Sequence, residues 1–249
     1  VRYDDGTNPW TYEEAPVPAE QKSEIASVWT RPRRQREQLS REQIVAEAVR
    51  LLDADGIEAL SMRKLGTRLD AGATSLYRHV ANKDELIELV VDEVYGELAV
   101  PAATGPADWR DAAARSAYSL RAMILRHPWV ASVLGQVGLI HLGPNVTRMS
   151  ERMAAVYGVA GFPADETEQA LSTVISYVIG MATSEAAYLS LIARSGKTEQ
   201  EFAADLPAPP QGAGQRDPRA EDPAKAREET FDYGLQRVLD GLGVRLSAS

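Results

Sequence analysis

Apolar side chains between residues 40 and 98 recur every three or four positions, and each run is bracketed by residues that start or stop helices. Ser40 with Gln43 three positions on forms a capping box. Ile44, Ala48, Leu51 and Leu52 then share one face, and Gly56 ends the run because glycine enters the left-handed conformation without steric cost. Ser61 caps a second helix whose buried side is Leu65 and Leu69, and Asp70-Ala71-Gly72 makes a turn. A short third helix is predicted over 73–80. A fourth opens at Asn82 with Glu85 behind it, carries Leu86, Val90, Val94 and Leu98, and stops before Pro101.

The later pattern is also helical. Asp108 is expected to cap a helix bearing Trp109, Ala113, Leu120 and Ile124 that runs to His127-Pro128. Further helices are predicted over 129–136 and over 144–157, the latter with Met149 and Met153 one turn apart. Pro163 opens the longest, reaching about residue 194, with Asp165, Glu166 and Glu168 set favourably against its dipole. A last helix over 225–242 places Phe231, Leu235, Val238, Leu239 and Leu242 on one side. No repeat and no period-two alternation occurs, so the fold class is all-α: a three-helix N-terminal unit followed by a larger helical domain.

Residues 171–193 contain a single charge, Glu185, and are long enough for a membrane span. Four Ser, two Thr and the acid inside the run, with no basic flank before it, argue against that reading. A helix apolar all round is expected to be buried on all sides, with its own domain on one face and a partner subunit on the other. Gly180, Ala182, Ala186 and Ala187 would let a second helix approach. The expected dimer interface is Ile179, Gly180, Ala186 and Leu189 with Phe231 and Leu235.

Composition narrows the function. The chain of 249 residues is 44% hydrophobic and 25% charged, ordinary for a globular protein, and lacks cysteine, which excludes disulfides, thiolate metal sites and cysteine nucleophiles. The first forty residues show no apolar signal region, so a cytoplasmic location is expected. Residues 31–83 hold eleven Lys/Arg against seven Asp/Glu, a local +4 within a total of −9, which leaves −13 on the remainder. One polyanion-facing module on an acidic body is the simplest reading. Residues 1–38 form an expected flexible arm, with four prolines by residue 32 and Arg31, Arg33, Arg34 and Arg36 just before the first helix. Seven of the seventeen residues over 207–223 are Pro or Gly, predicting a mobile loop at about 205–224. The expected domains are therefore 1–38, 39–86 with a connecting helix over 83–99, and 100–249.

The short third helix cannot fold alone and must be held by Leu65, Leu69, Leu76 and Val80. That leaves Ala73, Thr74, Ser75, Tyr77, Arg78 and His79 to face outward. Small residues at its start let the backbone near base edges, where the methyls of Ala73 and Thr74 can touch thymine. Arg78 is its long donor, and Arg63 on the second helix could pair with guanine. Ser75, Tyr77, His79 and Lys83 suit phosphate oxygens, which fix register without reading sequence. Arg33, Arg34 and Arg36 could follow phosphates or enter the minor groove. Any one of these fits a solvated surface, but the capped helices, short turn and Tyr/His/Lys cluster together describe a helix-turn-helix facing DNA. In the larger domain Tyr118, Met123, Trp129, Met149, Met153, Tyr157, Tyr177 and Met181 suit either core packing or a pocket for a planar or hydrophobic effector. No phosphate-binding glycine loop, nucleophile elbow or zinc-protease motif is present, and no catalytic residue, cofactor or metal site is expected.

The segments G-I-E-A-L-S-M-R-K-L, S-L-Y-R-H-V and N-K-D-E-L resemble the DNA-binding domain of tetracycline-repressor-type (TetR) regulators. R-A-M-I-L-R-H-P-W, G-F-P-A-D-E-T and F-D-Y-G-L-Q-R-V-L-D-G-L resemble the C-terminal domain of the tetracycline-repressor branch, so the likeness spans roughly 39–243. It implies a homodimer that binds a palindromic DNA operator and releases it when a small molecule enters the second domain. By position it assigns base reading to Arg63, Ala73, Thr74 and Arg78, and phosphate contacts to Ser61, Ser75, Tyr77, His79 and Lys83. Three positions depart from the family: Asp70 stands for the usual Gly, Gly72 for a Ser cap, and Gly66 for an Ala inside the second helix, costing about 1 kcal/mol of propensity. The position of the branch's metal-binding histidine falls near Val133 and Leu134, so a magnesium–tetracycline site is not expected. The three histidines are His79, His127 and His141. Two other functions fit parts of the sequence: an all-helical small-molecule-binding protein or enzyme whose helix-turn-helix is only a packing unit, and an architectural or recombinase-type DNA binder.

Overall fold

The computed structural model describes residues 39–137, 143–205 and 222–247. The N-terminal arm with Arg33, Arg34 and Arg36, the segment 206–221 of the expected loop, and His141 lie outside the described residues.

α1 (Arg41–Asp55) starts on the predicted capping box: Ser40 Oγ accepts from the Gln43 amide at 3.2 Å, and Gln43 Oε1 accepts from the Ser40 amide at 2.9 Å. Gly56 ends it at φ 76° but with ψ 176°, so the chain leaves extended rather than left-handed, into a 3₁₀ turn at Ile57–Ala59. α2 (Met62–Arg68) is capped by Ser61, whose side chain accepts from the Lys64 amide. Asp70 then takes φ 47°, alone among the described non-glycine residues in the left-handed region. α3 is one turn, Ala73–Leu76, shorter than predicted. Past Leu76 the amides of Arg78 and His79 bond three residues back, so the segment to Val80 tightens into turns before Asn82 caps α4 (Lys83–Tyr95).

Gly66 corrects the propensity argument. A Cβ there would lie 2.7 Å from the Ala71 carbonyl oxygen and 3.1 Å from Leu76 Cδ1, and the Ala71 amide bonds to the Gly66 carbonyl at 2.8 Å. The missing side chain lets the turn fold onto α2 and sets α3 in place. Ile44, Leu51, Leu65, Leu76, Leu86 and Val90 are fully buried around this contact, so a single turn is held by side chains from three other helices.

The body comprises α5 (Trp109–Arg126), α6 (Val130–Val137), α7 (Pro144–Ala160), α8 (Ala164–Ser195), α9 (Glu199–Asp205) and α10 (Pro223–Ser247). α9 was not anticipated: its first turn is charged and it buries only Ala203 deeply, so no periodic apolar signal marks it. Asp108 stands at the N-cap of α5, but its carboxylate does not bond the helix start; it turns back to accept from the amide and hydroxyl of Thr104. α8 packs on α5, α7 and α10 through the stripe Ala170, Val174, Val178, Ala182 and Ala186. Its other side, the one expected to meet a partner subunit, is open within the chain. Ser172, Ser176, Gly180, Thr183, Ala187 and Leu191 are exposed there. By length and composition α8 could cross a membrane. Its buried stripe meets amphipathic helices and its open face carries hydroxyls, which is how the long helix of a water-exposed bundle is built.

Candidate nucleic-acid interface and its link to the body

The head sorts its cations into two groups. Lys64 pairs with Asp55 at 2.9 Å, and Arg50 and Arg68 pair with Glu47 at 3.0 and 3.2 Å. Arg41 donates to the His79 carbonyl at 3.2 Å and lies 4.0 Å from Glu85. Arg63, Arg78 and Lys83 are exposed and have no carboxylate partner among the described residues. Around them Thr74 and Ser61 are exposed, Ala73, Ser75 and His79 are half-buried, and Tyr77 keeps 52% of its surface accessible although it is a large aromatic. These residues lie at the start of α2 and along it, on α3, in the turn that follows and at the first position of α4. Unpaired guanidinium and ammonium groups beside hydroxyls are what phosphate and base edges require.

Two connections join the head to the body. At the first, His127 between α5 and α6 is 3% exposed, with Nδ1 2.7 Å from Asp53 at the end of α1 and Nε2 3.3 Å from Glu97 after α4. The Trp129 indole N–H donates to the same Asp53 oxygen at 2.7 Å, and Arg126 pairs with Glu97. At the second, Asp92 of α4 takes the N-terminus of α7: its Oδ1 accepts from the amides of Asn145 and Val146 at 2.9 and 3.0 Å, while its carbonyl accepts from the Asn145 side chain. Gly143 makes this possible, since a Cβ there would overlap the Asp92 carboxylate. Asp92 thus satisfies two otherwise unpaired helix-start amides at the favourable end of the α7 dipole. Neither connection was read from the sequence, because its partners lie 29 or more residues apart. The His-Pro-Trp segment was the available signal.

The eight residues expected to line an effector pocket divide into groups. Trp129 belongs to the head–body junction. Tyr118 and Tyr177 flank Phe231, and their hydroxyls donate to Asp232 at 2.7 Å and to the Phe231 carbonyl at 2.8 Å. Burial, then the bond to Asp232, pushes the Tyr118 phenol up to about 12. Tyr157 and Met153 are buried on α7, where Tyr157 packs with Trp109 and Phe162. Met123 is buried, and Met149 and Met181 are half-buried. A groove of about 360 Å³ lies elsewhere, between residues 100–103 and the Arg152, Ala155, Val156 and Val159 face of α7, and none of the eight lines it. Of the expected interface residues, Ala186, Phe231 and Leu235 are buried inside the chain and serve its own core. Ile179 and Leu189 are half-buried and Gly180 is exposed.

A half-buried ionic cluster ties the body together. Glu185 receives both Arg121 donors at 2.8 Å and Arg227 at 3.0 Å, and Arg227 also pairs with Glu199 of α9. Burial alone would raise the Glu185 carboxyl, but the two guanidiniums outweigh it and hold the group below its usual range. Arg121 also lies over the Phe231 ring at 4.7 Å. The charge that stood out in the long apolar run is therefore the tie between α5, α8, α9 and α10. No group of three or more His, Asp or Glu able to hold a metal occurs among the described residues.

A reading head with free cations on α2, just after α3 and at the start of α4, joined through α4 to a larger helical body, defines a helix-turn-helix regulator. Residues 44–90 match the N-terminal domain of bacterial regulatory proteins of the tetR family, and residues 100–246 match the tetracyclin repressor-like C-terminal domain. The chain belongs to the TetR family and is a DNA-binding transcriptional regulator. It is 41% identical to an HTH-type transcriptional regulator of Saccharopolyspora erythraea over 65% of this chain and 69% of the relative. It is 34% identical to the HTH-type transcriptional repressor DrrR1 of Streptomyces coeruleorubidus over 83% and 78%. Among solved structures, the TetR family protein ActR of Streptomyces coelicolor in complex with (S)-DNPA superposes with a TM-score of 0.66 at 30% identity, covering 84% of this chain and 98% of ActR.

Proposed function

We propose that this regulator represses transcription as a homodimer, reading a pseudo-palindromic operator with two heads and releasing it when a small aromatic or apolar molecule enters the body. The observation that carries the reading is the segregation of charge in the head. Cations off the reading surface are paired, whereas Arg63, Arg78 and Lys83 are left for an external polyanion. Arg63 and Arg78 are assigned to base edges with Ala73 and Thr74 beside them, and Ser61, Ser75, Tyr77, His79 and Lys83 to phosphates. Arg33, Arg34 and Arg36 would add phosphate contacts from the arm.

The open face of α8 supports the homodimer. Ser176, Gly180, Thr183 and Ala187 present small side chains at helical spacing, and a Cβ on Gly180 would meet nothing within 4 Å in its own chain. A symmetry-related α8 can therefore come close, with Ile179 and Leu189 at its edges. The ActR complex with (S)-DNPA supports a small-molecule effector in a body of this shape. Such a ligand acts only by binding one spacing of the heads better than the other, and Asp92 and His127 are the contacts through which the body can bias that spacing.

Footprinting the purified protein on DNA flanking its own gene tests the reading. Protection of two half-sites in successive major grooves, about one helical turn apart, is expected. Uniform protection without a centre of symmetry would contradict it.

A further inference from the structure

The body holds two aromatic clusters that treat their hydroxyls differently. Around Phe231 both tyrosine hydroxyls are bonded within the fold, to Asp232 and to a backbone carbonyl. In the other cluster Tyr157 lies 6.2 Å from the Trp109 ring and 5.8 Å from Phe162, and its hydroxyl has no hydrogen-bond partner although the residue is only 1% exposed. It is the one buried side-chain polar atom left so among the described residues. Phenylalanine would fill almost the same volume without an unbonded oxygen, so packing gives no reason for tyrosine here.

The surroundings have the make-up of a ligand site: aromatic and thioether walls with a single polar group. Trp109 comes from α5, Met153 stands one turn before Tyr157 on α7, Phe162 follows α7, and Gly243 of α10 passes close to the Trp109 ring. Burial pushes the Tyr157 phenol well above its ordinary range, which keeps it a neutral O–H donor. An anion would be poorly solvated among these walls.

We infer that the Tyr157 hydroxyl is the polar anchor of the effector site, and that the effector is a neutral, planar aromatic molecule whose carbonyl oxygen accepts its hydrogen bond. The inference rests on the effector reading above. A molecule lodged in this closed cluster must move α7 away from α5, and the N-terminus of α7 is held by Asp92 of the head's connecting helix. The anchor and the head–body link thus lie on one helix.

The test uses the full chain and two tricyclic probes of the same skeleton, fluorenone with its carbonyl and fluorene without it. Affinities are taken from thermal shifts over a concentration series. Fluorenone should bind wild type ~10-fold more tightly than fluorene, the preference one hydrogen bond supplies. Tyr157→Phe should erase that preference, leave fluorene binding unchanged and melt no lower than wild type without ligand. Tyr118→Phe, which removes a hydroxyl bonded to Asp232, should melt lower and keep the preference. A fluorenone preference that survives in Tyr157→Phe overturns the anchor and leaves the effector reading standing. A lower melting temperature for unliganded Tyr157→Phe also overturns it, since the hydroxyl would then be bonded in the folded protein. If neither probe stabilises wild type, the effector reading of this cluster falls with the anchor.

Discussion

The head and the body use polar chemistry in opposite directions. In the head the interior is almost purely aliphatic, Ile44, Leu51, Leu65, Leu76 and Leu86 among others, and the reactive groups stand outside with no protein partner. In the body the polar groups turn inward: Glu185 between two arginines, Tyr118 on Asp232, Tyr177 on a carbonyl. A surface that must meet a polyanion keeps its donors unspent, whereas a sensor must hold a shape that a ligand can alter. α4 belongs to both, contributing Leu86, Val90 and Val94 to the core and Asp92 to the start of α7.

The largest effect expected from separating these roles lies at the proposed interface between two bodies. Gly180→Trp should leave the subunit folded, because nothing stands within 4 Å of a Cβ there, yet block a partner α8. Losing the second head should weaken operator binding by ~10²–10⁴-fold, the scale of lost avidity. Light scattering should show a monomer. A monomeric variant that bound the full operator with wild-type affinity would show that the bodies are not what brings the heads together.

Next comes the link itself. Asp92→Ala frees the Asn145 and Val146 amides, and should cost about 1 kcal/mol of stability as a lost helix cap does. Its larger consequence should be a ~10-fold rise in the effector concentration needed for operator release, with ligand-free operator affinity within about 3-fold of wild type. An unchanged release curve would remove α7 from the path between body and head.

An effect of similar size, confined to stability, tests how the head is held. Helix propensity alone predicts that Gly66→Ala stabilises the protein by about 1 kcal/mol. The 2.7 Å approach to the Ala71 carbonyl predicts the reverse, a loss of ~1–3 kcal/mol from overpacking against backbone, readable as a lower melting temperature. A stabilised Gly66→Ala would mean that the turn gives way easily and that Gly66 is not what places α3.

That glycine marks the boundary of what the sequence made legible. Caps and apolar spacing are local, so Ser40, Ser61 and Asn82 announced α1, α2 and α4, and the Leu/Val faces identified most of the head's core. The body was legible as a set of helices but not as an arrangement, because its defining contacts are between residues far apart in the chain. Trp129 read as a pocket wall and instead bonds to Asp53, and Phe231 and Leu235 read as interface and instead fill the subunit. Apolar periodicity says that a face is buried without saying against what. α9 lacked even that signal. The charge segregation that distinguishes Arg63 and Arg78 from Lys64 and Arg68 was equally hidden, since the pairing acids Asp55 and Glu47 lie on another helix.

The central claim is that the head reads DNA sequence with its unpaired arginines, Arg63 and Arg78. Fluorescence anisotropy should compare wild type and Arg78→Ala on the footprinted operator and on a scrambled duplex at one salt concentration. The account predicts a loss of ~1–3 kcal/mol on the operator, about 10–100-fold, with a much smaller change on the scrambled DNA and relaxed preference at one position per half-site. Equal affinity and unaltered preference for Arg78→Ala on both duplexes would contradict it.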